Sequence, residues 1–72
     1  MNKFISKFSW MIQTPKGFKK LNPYNTWILN SYYNSNLDTC ILNIDNQKVK
    51  ISFNNMLFNN LNDGYIGVIK KQ

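Results

Sequence analysis

The sequence predicts an all-β, mainly antiparallel domain, a small barrel or sandwich of about five short strands with room for one short helical turn. Three observations carry that expectation. Apolar and polar residues alternate with period two through residues 40–53, Asn/Gly/Pro/Ser clusters punctuate the chain at short intervals, and aromatic and β-branched residues fill the stretches between them. The 72 residues make one small domain, 1–72, without linker, repeat or second unit. A chain of this size buries only about 60% of its unfolded surface. Its aromatic residues, 15% of the chain, therefore weigh heavily in the core.

At the N-terminal end two periods compete. Phe4, Phe8 and Met11 or Ile12 fall at helical spacing, whereas Phe8, Trp10 and Ile12 alternate with Lys7, Ser9 and Met11. β-branched and aromatic content favours a strand over residues 8–13 after a short helical turn. Thr14-Pro15-Lys16-Gly17 has the chemistry of a type I turn, with Pro second and Gly fourth, and residues 18–21 return as a short strand that Pro23 ends or confines to an edge. The run Thr26–Tyr33, TWILNSYY, reads as a further strand, and Asn34-Ser35-Asn36 as the turn after it.

The centre of the chain is CILNIDNQKVKISF, residues 40–53. A turn at Asp45-Asn46-Gln47-Lys48 pairs Ile44 with Val49, Leu42 with Ile51 and Cys40 with Phe53, all on one face. Asp45 then faces Lys48, and Asn43 faces Lys50, on the other. Gln47 is a poor second residue for a type I′ turn, so a four-residue turn of the same parity fits equally well. Residues 54–62 have room for one helical turn or a structured loop around Met56, Leu57, Phe58 and Leu61. Asp63-Gly64 is a turn signal, and residues 65–69 form a last strand leading into Lys70-Lys71.

The composition excludes most catalysis. There are thirteen Asn, nine Lys and eight Ile, but no His, Arg, Ala or Glu. Without histidine there is no ordinary proton shuttle near neutral pH, no Cys–His or Ser–His–Asp pair and no imidazole ligand. The carboxylates are Asp38, Asp45 and Asp63, and none stands in a metal-loop pattern. The expectation is a protein that is not an enzyme and uses no cofactor or metal. One cysteine, Cys40, on the apolar side of the hairpin, points to a reducing, cytoplasmic setting, that of the host cell if the chain is phage-encoded. No apolar run approaches the roughly 20 residues of a membrane span, and the start lacks the pattern of a signal peptide. The Asn, Lys, Ile, Phe and Tyr bias is that of A/T-rich codons, as in many phages and reduced bacteria.

Three stretches resemble segments of the Hint domain, the β-rich fold of inteins and hedgehog autoprocessing modules: IQTPKGFKK (12–20), CILNIDNQKVKISFNNMLF (40–58) and LNDGYI (61–66). In that family a threonine-proline-x-glycine turn follows the first strand, a hairpin leads into a block ending in histidine, and a leucine–glycine–aspartate segment follows. Here Asn55 stands where the block histidine would fall and Tyr65 where the aspartate would fall. Ser6 lies near the place of the first nucleophile, and the family's terminal His-Asn pair is missing. The resemblance spans about half the chain and implies a degenerate, catalytically dead relative.

The net charge of +6 comes entirely from lysine. Polyanions are the physical partner of such a surface, because neutralised phosphates release counterions. Lys16, Lys19 and Lys20 cluster at the first turn, and Lys48 and Lys50 share the outward face of the hairpin. Trp27 and Tyr32, with Tyr33 and Phe18, are candidates for stacking on unpaired bases. The absence of arginine argues against specific guanine readout by bidentate contacts, so binding to nucleic acid would be backbone-driven and sequence-tolerant. The expected function is a small basic binding module, phage-like, that contacts nucleic acid or a nucleic-acid-handling machine. The competing expectation is an inhibitor or assembly module that docks on a host or phage protein, or forms a homo-oligomer, through Ile41 and exposed strand edges. The bland reading is that the lysines are a solvated face and the aromatics core.

Overall fold

The structure is a computed structural model that describes residues 7–72. Its elements are β1 (Trp10–Thr14), β2 (Gly17–Lys20), α1 (Pro23–Asn34), β3 (Thr39–Ile44), β4 (Gln47–Ser52), β5 (Leu57–Asn60) and β6 (Ile66–Lys71). The domain is mainly antiparallel β, as the alternation predicts. All strands belong to one six-stranded sheet in the order β2-β1-β6-β5-β4-β3, each neighbour antiparallel to the next. The sheet is open, with β2 and β3 at its edges and no pairing between them. Of the expected small barrel or sandwich of about five short strands, what forms is a single sheet of six strands that does not close into a barrel. The helical turn proposed before Phe8, and Ser6, lie outside the described residues.

β6 joins the two halves of the sheet. Its first part pairs with β5 (Ile66 with Asn59, Val68 with Leu57) and its second with β1 (Ile69 with Ile12, Lys71 with Trp10). Around this shared strand the sheet curls over a core of Trp10, Ile12, Leu21, Leu29, Cys40, Leu42, Ile44, Val49, Ile51, Phe53, Phe58 and Ile69. Trp10 at its centre is fully buried and meets the rings of Tyr33 and Phe53 edge-on.

Three expectations are corrected. TWILNSYY is not a strand: residues 23–34 form a helix. Asn22 is its N-cap, accepting from the Asn25 N–H at 2.8 Å, and Pro23 starts its first turn, where a missing N–H costs nothing. Asn25 and Leu29 are buried and Ile28 and Tyr33 pack on the core, which is helical spacing. Asn30 clasps the helix to β1. Its Oδ1 accepts from the Phe8 N–H (3.1 Å) and the Trp10 indole N–H (2.8 Å), and its Nδ2 donates to the Phe8 carbonyl (3.0 Å).

The second correction is the hairpin register. Asp45 and Asn46 both take left-handed backbone (φ 52° and 65°), as the two central residues of a type I′ turn must. Ile44 therefore pairs with Gln47, Leu42 with Val49 and Cys40 with Ile51. The shift from the expected pairing is an even number of residues, so the inward set is unchanged and the three partners on each strand remain buried. Lys48 faces Asn43 and Lys50 faces Ile41, while Phe53 lies beyond the ladder and donates its N–H to the Asp38 carbonyl. The third correction is residues 57–60, which form β5 rather than a helical turn or loop, after a reversal in which Met56 takes φ 55°.

Candidate binding surface

The lysines are positioned by strand parity. On the outer face of the sheet, away from the core, stand Lys20 and Phe18 of β2, Met11 and Gln13 of β1, and Lys70, Val68 and Ile66 of β6. The same face continues with Leu57 and Asn59 of β5, Ser52, Lys50 and Lys48 of β4, and Ile41 of β3. Lys20 and Lys70 flank Met11 in one row. Lys48 and Lys50 lie two residues apart on β4. Lys48 is held in place through its backbone: its N–H donates to Asn62 Oδ1 and its carbonyl accepts from the Leu61 N–H, both at 2.8 Å.

The sequence-predicted residues do not all meet. Lys48, Lys50 and Lys20 share the outer face, and Lys16 sits at the tip of the β1–β2 turn. Lys19 belongs to the opposite parity and pairs with Asp45, tying β2 to the β3–β4 turn; among the described residues it is the one lysine in a salt bridge. Both partners are largely exposed, so the pair adds little stability. Trp27 and Tyr32 are on α1, exposed at 65% and 37%, and neither ring meets a lysine ammonium among the described residues. Trp27 lies instead beside the exposed Tyr24, with ring centroids 6.5 Å apart.

Lys70 and Lys71, read from sequence only as a tail, are part of the sheet. Lys70 places its ammonium 3.9 Å from the Phe18 ring centroid, and Lys71 lies 5.1 Å from the rings of Phe8 and Tyr33. The signal that could have found Lys70 is the continued alternation of Ile66, Val68 and Lys70 against Gly67 and Ile69.

The outer face is not uniformly basic. Ile66 is 60% exposed, Ile41 57% and Val68 39%, and Leu57 stands directly opposite Val68. A shallow depression of about 400 Å³ runs through this region, lined by Asp38, Lys50, Ser52, Leu57, Asn59 and Ile66 among others. The Asn59 Oδ1 is buried there without a hydrogen-bond partner among the described residues.

The other two carboxylates border a cleft of about 280 Å³ between Ile12, Ile44, Val49, Phe58 and Tyr65. Asp45 is engaged by Lys19, and Asp63 accepts from the Tyr65 N–H at 2.8 Å. Of the positions that carry the Hint resemblance, Asn55 is an exposed turn residue near Ser52 Oγ and Tyr65 packs on Phe58. Compared with known proteins, the chain matches no family model and no curated sequence. Among the described residues no helix is long and apolar enough to cross a membrane.

Cys40 is buried in the core, and desolvation pushes its thiol above the ordinary value. The folded chain then holds that proton where the unfolded chain has lost it, so stability is fully present below the unfolded thiol value of about 8.5 and falls as pH rises beyond it. A thiol reagent at pH 8 is expected to leave Cys40 unmodified in the folded protein and to label it fully in denaturant. Rapid labelling of the native state would place the side chain outside the core.

Proposed function

We propose that this chain is a small basic binding module, not an enzyme, that takes an anionic macromolecular partner on the outer face of its sheet: nucleic acid, or a protein of nucleic-acid machinery. The observation that carries the reading is the convergence of Lys20, Lys70, Lys50 and Lys48 on one face of a continuous sheet while the salt-bridged lysine, Lys19, lies on the other parity. Lys16 extends the positive field at the β1–β2 tip. Unpaired ammonium groups on a rigid face attract anions over about a Debye length, roughly 8–10 Å at physiological salt.

The aromatic half of the sequence expectation has less support. Trp27 and Tyr32 are available for stacking on α1, but they stand on a different element from the lysines, so contact with single-stranded bases would have to span both. A polyanion titration tests the reading. An oligo(dT) or heparin probe is expected to bind at low salt with an affinity that falls steeply as salt rises. The double charge reversal Lys48→Glu/Lys50→Glu should weaken that binding at least tenfold, whereas Lys19→Glu, which reverses a charge already engaged by Asp45 and makes half the change in net charge, should weaken it by less than half as much in binding free energy. A Lys19→Glu effect at least half that of the double variant, or no binding at low salt, would remove the outer face as the site.

A further inference from the structure

We infer that the partner taken by this face is an acidic amphipathic protein segment, with large apolar side chains set between carboxylates, and not a bare phosphate backbone. The inference rests on the proposed outer-face reading and narrows it to one class of partner. Its basis is the pattern within the face. The lysines form two groups, Lys48 with Lys50 on β4 and Lys20 with Lys70 across β1. Between them lie Leu57, Val68 and Ile66, contiguous because Leu57 opposes Val68 and Ile66 follows two residues along the same side of β6.

Exposed apolar surface flanked by charge is stabilised by a partner that covers it with apolar groups and meets the charges at the rim. A phosphate backbone covers no Ile66 side chain. Unpaired bases dock on exposed rings, and the ring this face offers is Phe18, already beneath the Lys70 ammonium. A protein segment supplies both parts. One large side chain enters the depression beside Leu57 and Ile66, and carboxylates reach Lys50 on one flank and Lys70 on the other.

The spacing sets the size of that segment. Lys50 lies in the row of Ile66 through Asn59, and Lys70 is four residues further along β6. At about 3.3 Å per residue and about 4.8 Å per strand, the two groups are roughly 16 Å apart. A helix covers that distance in about three turns, at about 1.5 Å per residue.

Selection of a random 16-residue peptide library on the immobilised chain tests this. Enriched peptides should interleave Asp or Glu with large apolar residues and should bind at physiological salt. Ile66→Thr/Val68→Thr, which keeps β-branched strand formers at exposed positions, should weaken them at least tenfold while circular dichroism and melting are preserved. Lys50→Glu should weaken them as well. Enriched peptides without the acidic-apolar pattern, or peptides indifferent to the Thr pair, overturn the inference. Oligo(dT) binding that depends on Lys48 and Lys50 but is indifferent to the Thr pair, with no such peptides recovered, overturns it while leaving the outer-face reading standing. Failure of both probes to bind removes both.

Discussion

Trp10→Ala is expected to cost about 3–5 kcal/mol, the range for deleting a large buried ring. A 72-residue domain has a total stability of about 4–11 kcal/mol at about 0.05–0.15 kcal/mol per residue. The loss is therefore between about a quarter of the stability and all of it. The indole is fully buried, with ring centroids of Tyr33, Phe53 and Phe8 at 5.5, 5.7 and 6.1 Å, so its removal leaves a void that these rings line. It also removes one of the two N–H donors to Asn30 Oδ1, the one that ties α1 to β1 itself. Urea unfolding followed by circular dichroism measures the effect. Trp27→Ala is the matched comparison: that ring is 65% exposed and should shift stability by no more than about 0.5 kcal/mol. Similar midpoint shifts for the two variants would mean that Trp10 is not the centre of the core.

Gly67→Ala is expected to destabilise the domain by about 1–3 kcal/mol, the cost of overpacking a closed site. Strand propensity alone argues the reverse sign, since glycine in a strand interior is the weaker residue. The structure decides between them. Gly67 stands opposite Phe58 on β5, and a Cβ at this position would lie 2.6 Å from Phe58 Cε1 and 2.9 Å from Cζ, well inside contact. The Phe58 ring, backed by Tyr65 at 5.7 Å, occupies the space that a side chain at 67 would need. A double-mutant cycle with Phe58→Leu provides the check. The two substitutions should couple favourably by more than about 0.5 kcal/mol, because the smaller side chain relieves the clash. Strict additivity, or a stabilising Gly67→Ala, would mean that the ring does not fill that space.

What could be read from the sequence followed from local alternation. Val49, Ile51 and Phe53 against Lys48 and Lys50 placed the core and solvent sides of β4 correctly, and the Thr14–Gly17 turn and the Asp63-Gly64 turn fall where their chemistry puts them. The register failed on one fact. Asp45, not Asn46, is the first left-handed residue, and Asx side chains tolerate that backbone without glycine. The helix was hidden because Trp, Ile, Thr and Tyr are strand formers by propensity and α1 carries no charge to mark an outer stripe. Its legible signal was short: an Asn cap followed by Pro. β5 was hidden because Asn59 and Asn60 give no apolar alternation, Asn60 being buried by its bonds to Gln47 and to the N–H groups of Asn62 and Asp63.

The candidate surface was half legible. Lys48 and Lys50 share a face by parity alone. That Lys20 and Lys70 join them depends on β6 lying between β1 and β5, a non-local pairing that no short-range pattern encodes. The apolar patch needed the same information, since Leu57 and Val68 become neighbours only through that pairing.

The shared strand also sets the order of assembly. β3, β4 and β5 can zip up through successive near-neighbour hairpins, but β1 with its β2 partner has no place to attach until β6 is laid down, as the Val68 N–H to Gln13 contact across 55 positions illustrates. The slow step of folding should therefore be one long loop closure rather than hairpin formation, with relaxation in the millisecond-to-second range typical of distant pairings. Until that closure the Trp10 side of the core has no Ile69 to pack on, and the basic face exists only as two separated halves.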